Sequence, residues 1–341
     1  MSDRTDRRGE GNADIKIAPW CTRPDVSPLR YPGGKRKLVP LIADLIDRAD
    51  LEVEMFVEPF AGGAAVSIAL LESGHVQSIA LADIDPLVAS FWQTVFSSDA
   101  KRLADMVSNS KVNLREWRRQ KSLSPRSTLT AAFKCLFLNR TSFSGSLVPR
   151  TGAIGGMSQT GGYKIGCRFN QERLAQRIIE LSELSSRVRF VRNESYRKTM
   201  ADIARMTLAK KGHKKIFWYF DPPFFAKAER LYRFPFNESQ HRLLAADLKA
   251  LAGHWLLSYD DHDSARRMYQ RHPGFARVNL RYSARIDNGE RLIASEVIVS
   301  DIIASLRRRE KVPKWGMVIP LPRRLQFVGR FYEAATPRQQ V

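Results

Sequence analysis

An α/β fold built on a mostly parallel sheet is the fold class that the sequence predicts, and the first half of the chain shows why. Residues 53–60 read as a strand, the glycine turn at 61–65 leads into a helix that ends near Gly74, and residues 78–85 read as a second strand that stops at Pro86. Aromatic and β-branched residues favour strands, whereas proline and glycine interrupt them. Strand, turn, helix and strand in this order are typical of parallel sheets.

The same rhythm returns in the second half of the chain. Three further strands are predicted, at 187–192 from alternating polar and apolar residues and at 215–220 and 255–259 from apolar runs. Residues 276–283 and 291–299 lie on either side of an Asp-Asn-Gly sequence, which is a turn signal. They therefore predict an antiparallel pair at the end of the sheet.

Two of the connecting helices have clear sequence signals. Residues 36–48 place apolar side chains at helical spacing. A second helix is expected from Asn237 to Leu251, because Asn237 is a good N-cap and Gln240 stands at the capping-box position. Its expected buried face consists of Leu243, Leu244, Leu248 and Leu251.

The middle of the chain interrupts this pattern. Residues 101–130 are rich in arginine and lysine, and residues 139–170 are dense in glycine, serine, threonine, arginine and asparagine. We therefore expect a smaller domain inserted into the sheet domain. The expected divisions are a flexible basic lead at 1–27, the sheet domain at 28–105, the inserted domain at 106–186, the resumed sheet domain at 187–305 and a basic tail at 306–341.

The chain is strongly basic, with 56 lysines and arginines against 35 acidic residues and a formal net charge of +21. An excess of this size favours a polyanionic partner, nucleic acid before an anionic membrane. No apolar run approaches the ~20 residues that a membrane-spanning helix needs, and the first residues lack the apolar stretch of a signal peptide. We therefore expect a cytoplasmic protein that associates with nucleic acid.

No metal site is predicted. The three cysteines, Cys21, Cys135 and Cys167, fit no zinc spacing and no disulfide framework. The six histidines are scattered and form no metal-binding pair. Unpaired thiols in a chain of this size suit a reducing cytoplasm.

The most informative segment runs from 216 to 225, where an aromatic run stops at Asp221 and two prolines, Pro222 and Pro223, follow at once. A central strand does not continue through proline, which lacks an N–H, and each proline holds the residue before it extended. A stiff loop at the carboxyl end of the strand is therefore expected, presenting Asp221, the carbonyl of Pro222 and the ring of Phe224. Open α/β sheets bind ligands at that edge. An acid, fixed acceptors and a ring suit an aromatic substrate that bears an amino group, such as a base.

Two glycine turns are further candidates for ligand binding. The Gly-Gly turn at 29–35 lets a ligand approach the backbone, with Tyr31 offering a ring and Lys35 a partner for a carboxylate. The turn after the first strand contains Gly62 and is preceded by the acid Glu58, which suits an amine-bearing ligand. Neither turn has the glycine pattern that cradles phosphates.

An acid also ends the second predicted strand. Asp83 is placed to accept hydrogen bonds from ribose hydroxyls, and Asp85 is the alternative, although Asp85 followed by Pro86 is also a typical helix N-cap. Together, the acids and glycine turns suit a nucleoside with an amino-acid end and no phosphate, namely S-adenosylmethionine. Lys35 is expected to meet its carboxylate and Asp83 its ribose.

Five motifs stand in order along the chain: L-R-Y-P-G-G-K at 29–35, F-V-E-P-F-A-G-G at 56–63, L-A-D-I-D at 81–85, F-L-N-R-T-S-F-S-G at 137–145 and D-P-P-F at 221–224. In these motifs the sequence resembles the Dam-type adenine-specific DNA methyltransferases, and residues 291–301 are similar to that family's closing strand. The motifs extend over about residues 29–301.

The resemblance implies a doubly wound, mostly parallel methyltransferase sheet with an antiparallel closing strand, and it makes residues 106–186 a target-recognition domain. It implies S-adenosylmethionine as cofactor and methyl transfer to the exocyclic amino group of a flipped-out adenine in double-stranded DNA. A monomer and a cognate restriction nuclease are the further expectations about assembly and partners.

Site residues are implied by the same motifs. The catalytic positions are Asp221, Pro222 and Phe224, and the cofactor positions are Tyr31, Lys35, Glu58, Gly62, Asp83 and Asp221. Phe224 departs from the tyrosine that is usual in the family, and Tyr31 departs from the usual tryptophan. Stacking needs only the ring, so we expect Phe224 to support catalysis.

DNA contacts are expected from the middle of the chain. Arg140, Thr141 and Ser144 match the segment that opens the family's DNA-contacting domain. Basic residues of the inserted region are expected to contact phosphates or guanine edges, namely Arg115, Arg118, Arg119, Lys121 and Arg150.

Two other functions stay open on the sequence alone. The same fold could act on adenine in RNA or on the amino group of cytosine. A DNA-binding protein without activity is the second alternative, and the presence of Lys35, Asp83 and Asp221 argues against it.

Overall fold

The computed structural model describes residues 26–30, 34–208, 215–226, 228–287, 290–309 and 325–326. Its strands are β1 (Met55–Glu58), β2 (Ser78–Asp83), β3 (Val188–Asn193), β4 (Ile216–Phe220), β5 (His254–Asp260), β6 (Phe275–Asp287), β7 (Glu290–Ser300) and β8 (Leu325–Gln326). They form one sheet in the order β3-β2-β1-β4-β5-β7-β6-β8. The five strands from β3 to β5 pair in parallel, and β7 pairs antiparallel with both β5 and β6. The predicted mostly parallel sheet with an antiparallel closing strand is confirmed.

Twelve α-helices are found in the described part of the chain. They are α1 (Val39–Arg48), α2 (Ala65–Glu72), α3 (Pro86–Val95), α4 (Ala100–Ser108), α5 (Leu114–Ser122), α6 (Thr128–Thr141), α7 (Gln171–Ser182), α8 (Tyr196–Leu208), α9 (Ala228–Leu231), α10 (Glu238–Lys249), α11 (Asp263–Tyr269) and α12 (Asp301–Arg309).

Helices cover both faces of the sheet. Successive strand residues point to opposite faces, so Phe56 joins one buried cluster and Val57 the other. The cluster of Phe56 contains side chains from α1, α2, α3, α4, α5, α6, α7 and α12. The cluster of Val57 contains side chains from α8, α10 and α11. The sheet is therefore doubly wound, as the family resemblance predicted.

The strand order reverses beside β1. The chain moves outward from β1 to β2 and β3, and then returns to place β4 on the other side of β1. Ligands of open α/β sheets bind outside the carboxyl ends of the strands at such a switch point. The crevice between β1 and β4 is therefore where a site is expected.

The middle segment shares the core of the sheet. Phe137, Phe169 and Ile178 belong to the same buried cluster as Phe56. The division of the chain at 106 and 186 stays a prediction.

Helix α10 confirms its predicted start and corrects one predicted core residue. The side chain of Asn237 accepts from the N–H of Gln240, and the Gln240 side chain accepts from the N–H of Asn237. Leu244 and Leu248 are buried, but Leu243 is 40% exposed, so its assignment to the core was wrong. Adjacent residues of a helix point about 100° apart, and the buried His241, three residues before Leu244, continues the face instead.

Candidate active site

Three acids meet at the carboxyl edge of the sheet. Glu58 is the last residue of β1, Asp83 is the last residue of β2, and Asp221 directly follows β4. A cavity of about 70 Å³ is lined by Lys35, Glu58, Gly62 and Asp221, among others. A second cavity of about 40 Å³ shares Gly62 and Asp221 and adds Asp83. The structure thus brings together five of the six residues predicted to bind the cofactor.

The sixth residue, Tyr31, lies outside the described residues. Tyr232, which sequence reasoning missed, lines both cavities. Its ring meets the ring of Phe224 edge-on, with centroids 5.7 Å apart and planes at 86°. No motif in the sequence marked Tyr232, because its place in the site depends on the short helix α9 that precedes it.

Lys35 lies at the centre of the acidic edge. Its Nζ is 3.4 Å from Asp221 Oδ1 and 3.2 Å from Glu296 Oε2. It also lies 4.7 Å from the centroid of the Phe224 ring, within cation–π range. Because Lys35 is only 2% exposed, its charge acts on these neighbours with little screening by water.

Glu296 is a second residue that sequence reasoning did not place in the site. It lies on β7, where its pairing opposite Asp260 brings it to the edge at which Asp221 stands. The resemblance of residues 291–301 to a closing strand was the available signal, but it indicated a strand and no contact with Lys35.

Asp221 is held by a short relay of hydroxyl groups. The Ser258 hydroxyl donates to Asp221 Oδ1 at 3.1 Å, and the Tyr219 hydroxyl lies 2.8 Å from Ser258 Oγ. Burial raises the pKa of Asp221, while Lys35 and the Ser258 hydrogen bond oppose that shift. The carboxylate is therefore fixed in direction and poised to accept a proton more readily than an exposed aspartate.

Glu58 is buried beneath the glycine turn. Both the backbone N–H and the hydroxyl of Ser67 donate to its Oε2. Burial raises the pKa of Glu58 to about 8. A cation placed in this cavity would stabilise the ionised form, since an opposite charge lowers the pKa of a carboxyl group.

Asp83 supports the turn that carries Gly62. Its Oδ2 accepts from the Gly62 N–H and its Oδ1 from the Asp85 N–H, both at 2.8 Å. The φ of Gly62 is 44°, in the left-handed region that glycine adopts without strain. Burial raises the pKa of Asp83 to about 7. Each carboxylate oxygen keeps a second lone pair, so Asp83 retains capacity to accept from a ligand.

Asp85 has the capping role that the sequence left as its alternative. It accepts from the Leu87 N–H at 2.9 Å at the start of α3. It also pairs with Arg233, whose Nη1 is 2.5 Å from Asp85 Oδ1. Between the two acids, Asp83 is the one that faces the glycine turn.

The loop after β4 is anchored by aromatic contacts. Pro222 and Pro223 are buried. The ring of Phe225 stacks on His241 at 3.8 Å and on His262 at 5.7 Å between centroids. The buried prolines before Phe224 and the stacked ring of Phe225 after it hold the segment on both sides. The ring of Phe224 itself contacts Tyr232 and the ammonium of Lys35.

The segment 137–145 is tied to the first motif by Asn139. Its Oδ1 accepts from the Arg30 N–H at 2.7 Å, and its amide donates to the Arg30 carbonyl at 2.8 Å. Gly145 packs against the same carbonyl, since a Cβ at this position would lie 2.3 Å from the Arg30 oxygen. These two motifs therefore reflect a shared structural contact.

Three predicted DNA contacts make hydrogen bonds within the protein. Thr141 is fully buried and donates to the Phe137 carbonyl at 2.6 Å, so its side chain offers no surface to DNA. The guanidinium of Arg140 donates to the carbonyl of Pro28. Lys121 donates to two backbone carbonyls, of Val148 at 3.2 Å and of Pro149 at 2.8 Å.

The remaining predicted contacts are at the surface. Arg115, Arg118, Arg119, Ser144 and Arg150 are exposed. Arg119 forms a pair with Glu116, and Arg150 donates to the Glu229 carbonyl. Beside Ser144, the ring of Phe143 is 69% exposed, an apolar group that the sequence reasoning did not single out.

Membrane spans and metal sites are both absent from the described residues. No helix in these ranges is long and apolar enough to cross a bilayer. Within the same ranges, no group of three or more histidine, cysteine, aspartate or glutamate residues is arranged to hold a metal ion.

Comparison with known families gives the class of enzyme to which this fold and its acidic edge belong. The model of the D12 class N6 adenine-specific DNA methyltransferases matches residues 31–284. The match covers more than half of the chain, so the protein belongs to this family and is an adenine-specific methyltransferase.

Other comparisons are more distant. Two structures of the rRNA methyltransferase AviRa from Streptomyces viridochromogenes are similar, one at 14% identity over 83% of this chain and 90% of that chain, with a TM-score of 0.34. The other is 16% identical over 87% of this chain and 97% of that chain, with a TM-score of 0.33. No curated protein matches the sequence.

Proposed function

We propose that the protein transfers a methyl group from S-adenosylmethionine to the exocyclic amino group of adenine in double-stranded DNA. The observation that carries the proposal is the geometry of Asp221. Its carboxylate is fixed by Ser258 and Lys35 on a loop that also presents the Phe224 ring. A hydrogen-bond acceptor and an aromatic surface, side by side at the switch point, suit an aminopurine.

The cofactor is proposed to lie along the two cavities that meet at Asp221. Asp83 would accept from its ribose hydroxyls, and the turn at Gly62 would let it approach the backbone. The carboxylate of Glu58 would face its amino-acid end, whose ammonium group suits a buried acid. When bound, S-adenosylmethionine supplies an electrophilic methyl group. Tyr31 stays a predicted cofactor residue.

Lys35 is proposed to have a main role other than the contact with the cofactor carboxylate that the sequence led us to expect. Because its ammonium already lies between Asp221 and Glu296, we propose that it chiefly keeps Asp221 ionised and oriented. Contact with the cofactor carboxylate stays a prediction, which requires the ammonium to be shared with these two acids.

The target base is proposed to leave the duplex before reaction. The adenine amino group is paired inside the helix, so chemistry on it requires the base to be flipped out. Phe224 would then stack on the extruded ring, a contact worth about 1–3 kcal/mol. Tyr232, edge-on to Phe224, is placed to border the same base.

Asp221 and the carbonyl of Pro222 would accept the two amino hydrogens. These contacts orient the nitrogen lone pair toward the methyl group and stabilise the positive charge that develops on the nitrogen. The N–C bond forms as the S–C bond breaks, and the surplus proton leaves the nitrogen for Asp221 or for water. Asp221 need not be a strong base, since the proton leaves after the transfer.

DNA is proposed to approach the face that carries Ser144, Arg150 and the exposed Phe143. The surface guanidinium groups of Arg115, Arg118 and Arg119 would add phosphate contacts, and such contacts position a duplex without reading its sequence. A monomeric state and a nuclease partner stay predictions from the family resemblance.

Methyl transfer with labelled S-adenosylmethionine tests the proposal. The acceptors are unmethylated duplex DNA, the same sequence as single-stranded RNA, and a duplex in which inosine replaces every adenine. Label is expected in N6-methyladenine from the DNA duplex alone. Label that persists in the duplex without adenine would assign the reaction to cytosine, and preferential labelling of RNA would replace DNA as the substrate.

A further inference from the structure

A concave surface lies beside the candidate active site. Two cavities, of about 610 and 400 Å³, share Leu87, Lys134 and Arg233 among their lining residues. Because these residues belong to both cavities, the two form one continuous groove between α3, α5, α6 and the segment that follows α9. We call it the basic groove because it is lined by the basic side chains of Arg118, Lys121, Arg126, Lys134 and Arg233.

The positive charge of the basic groove is poorly compensated. No acidic residue occurs among the described residues that line the two cavities. Lys121 donates to backbone carbonyls, and Lys134 donates to the Leu123 carbonyl at 2.6 Å. A carbonyl satisfies an N–H donor but does not neutralise an ammonium ion. Within the described part of the chain, Arg233 is the member of the groove that pairs with an acid, Asp85.

The cations of the groove also act on one another. Burial lowers the pKa of Lys121, and the charge of Lys134 lowers it further. Burial likewise lowers the pKa of Lys134, and the charge of Arg233 adds to this effect. Like charges in a row destabilise one another, and a bound anion would relieve that repulsion. A solvated basic surface is a weaker explanation, because Lys121 and Lys134 are half-buried in a concave site.

The groove leads to the catalytic loop. Arg233 lines both of its cavities and also the cavity that contains Asp83 and Asp221. A nucleotide that is flipped out toward Asp221 stays covalently joined to its own strand. Successive phosphates of one strand rise only about 3.4 Å along the helix, so the phosphates next to that nucleotide must lie near the mouth of the site.

We propose that the basic groove binds the phosphates of the DNA strand that carries the target adenine. The proposal rests on the proposed function and specifies which DNA strand is bound and which surface of the protein binds it. Arg118 and Arg126 would hold phosphates through two parallel N–H groups, whereas Lys134 acts as a point charge. Arg233, held by Asp85, marks the end of the groove nearest to Asp221.

A charge-removal experiment tests the surface. The groove variant carries Arg118→Gln, Arg126→Gln and Lys134→Gln, which removes three charges and leaves the Arg233–Asp85 pair intact. The control carries Arg205→Gln, Arg242→Gln and Lys249→Gln, which removes three exposed charges from α8 and α10 on the other face of the sheet. Binding of a fluorescent duplex of about 30 base pairs, long enough to span the ~10 base pairs of a helical turn several times, is measured over a range of salt concentrations. S-adenosylmethionine binding and thermal unfolding of both variants serve as folding controls.

The two variants are expected to differ in salt dependence. Each lost phosphate contact lowers the slope of log affinity against log salt by about 0.9. The groove variant should therefore lose about two to three units of slope and bind at least about tenfold more weakly at low salt, while the control keeps the wild-type slope. Equal effects in the two variants, or an unchanged slope in the groove variant, would overturn the assignment.

Neutral phosphate analogues test the strand. The duplex contains the sequence that the enzyme methylates. Methylphosphonates replace the phosphates beside the target adenine on its own strand, or the phosphates opposite to it on the complementary strand. On the target strand they should weaken wild-type binding and have little further effect on the groove variant, because the same contact is lost twice. The proposal would be contradicted if only methylphosphonates on the complementary strand weakened wild-type binding and had little further effect on the groove variant.

The outcomes separate this proposal from the proposed function. A wild-type protein that transfers no methyl group to DNA refutes the function itself. If the wild type methylates DNA and the groove and control variants behave alike, the function stands and the groove assignment fails.

Discussion

The ammonium nitrogen of Lys35 lies 3.4 Å from Oδ1 of Asp221, which joins the first motif of the chain to the loop after β4. Glu296 on β7 lies 3.2 Å from the same nitrogen. One buried cation thus holds two acids that come from distant parts of the sequence. The ionisation of Asp221 should depend on Lys35 for this reason.

Replacing Lys35 with glutamine should shift the pH dependence of methyl transfer. Lys35 lowers the pKa of Asp221, so its removal should raise that pKa and move the acid limb of the rate profile to higher pH. The measurement is kcat/KM against pH, with binding of S-adenosylmethionine followed separately. An acid limb at its wild-type position in the variant would contradict the role given to Lys35.

Replacing Asp221 with alanine should abolish methyl transfer and leave the protein folded. The loss of a fixed acceptor for the developing charge costs on the order of 10²–10³ in rate, or more if the proton is also accepted there. Single-turnover transfer and the midpoint of thermal unfolding are the readouts. The Asp221→Asn variant keeps the shape of the side chain, so its residual rate isolates the charge. Near-normal turnover by either variant would remove Asp221 from the mechanism.

Two substitutions of Phe224 should behave differently. Phe224→Ala removes the stacking surface and should cost about 1–3 kcal/mol, or about fivefold to 150-fold in kcat/KM. Phe224→Tyr keeps the ring and restores the residue usual in the family, so it should retain activity. Steady-state kinetics on one DNA substrate compare them. Similar activity of the alanine and tyrosine variants would show that the ring has no part in holding the base.

Cofactor affinity should rise with pH because of Glu58. Its pKa of about 8 means that Glu58 is mostly protonated at pH 6, and a cationic ligand favours the ionised form. S-adenosylmethionine should therefore bind more tightly as pH rises from 6 to 8, with release of a proton. Calorimetry in two buffers of different ionisation enthalpy measures that release. The Glu58→Gln variant should release fewer protons, and an unchanged release in it would place the titrating group elsewhere.

Glu58 should also make the free energy of unfolding fall as pH rises, whereas cofactor affinity rises over the same range. Its pKa is raised in the folded protein, so the folded state binds more protons than the unfolded state between about pH 4.5 and 8. Its contribution to the free energy of unfolding therefore falls as pH rises through that window. Without ligand, urea unfolding of Glu58→Gln should show a weaker decline over this range than the wild type. A decline of equal steepness in both proteins would argue against a buried, protonated Glu58.

Asn139 should matter for stability more than for DNA contact. Its amide makes three hydrogen bonds to the backbone, two to Arg30 and one to the Gly145 carbonyl at 2.7 Å. Asn139→Ala leaves the buried carbonyl of Gly145 and the two partly buried backbone groups of Arg30 without this partner. A buried group left unpaired costs about 1–3 kcal/mol. Urea unfolding measures the loss, and Ser144→Ala at the exposed end of the segment is the control. Equal stability of the two variants would contradict the role of Asn139.

The sequence predicted the sheet well because its signals are local. The run that ends at Asp221 and its two prolines defines where β4 stops, and parallel strands bring their carboxyl ends to one edge. Glu58, Asp83 and Asp221 could therefore be placed together from the sequence alone. The capping box at Asn237 is likewise contained within four residues.

The errors and omissions concern partners that are remote in the sequence. The hydrogen bond from Arg140 to the carbonyl of Pro28 was not foreseen, because the two residues are far apart in the sequence, and its DNA contact stays a prediction. Thr141 faces the interior because most residues of helix α6 are buried. The sequence of α6 has no amphipathic pattern that would show which residues of the helix are exposed. Glu296 and Tyr232 reach the site through strand pairing and a short helix, neither of which leaves a mark near the residue itself.

The central claim is that the edge around Asp221 methylates adenine in DNA. The most direct measurement is nucleoside analysis by mass spectrometry of DNA from a host without adenine methylation, expressing either the wild type or Asp221→Ala. N6-methyladenine is expected with the wild type and none with the variant, at equal amounts of folded protein. Methylcytosine in place of methyladenine, or equal methyladenine from both proteins, would contradict the claim.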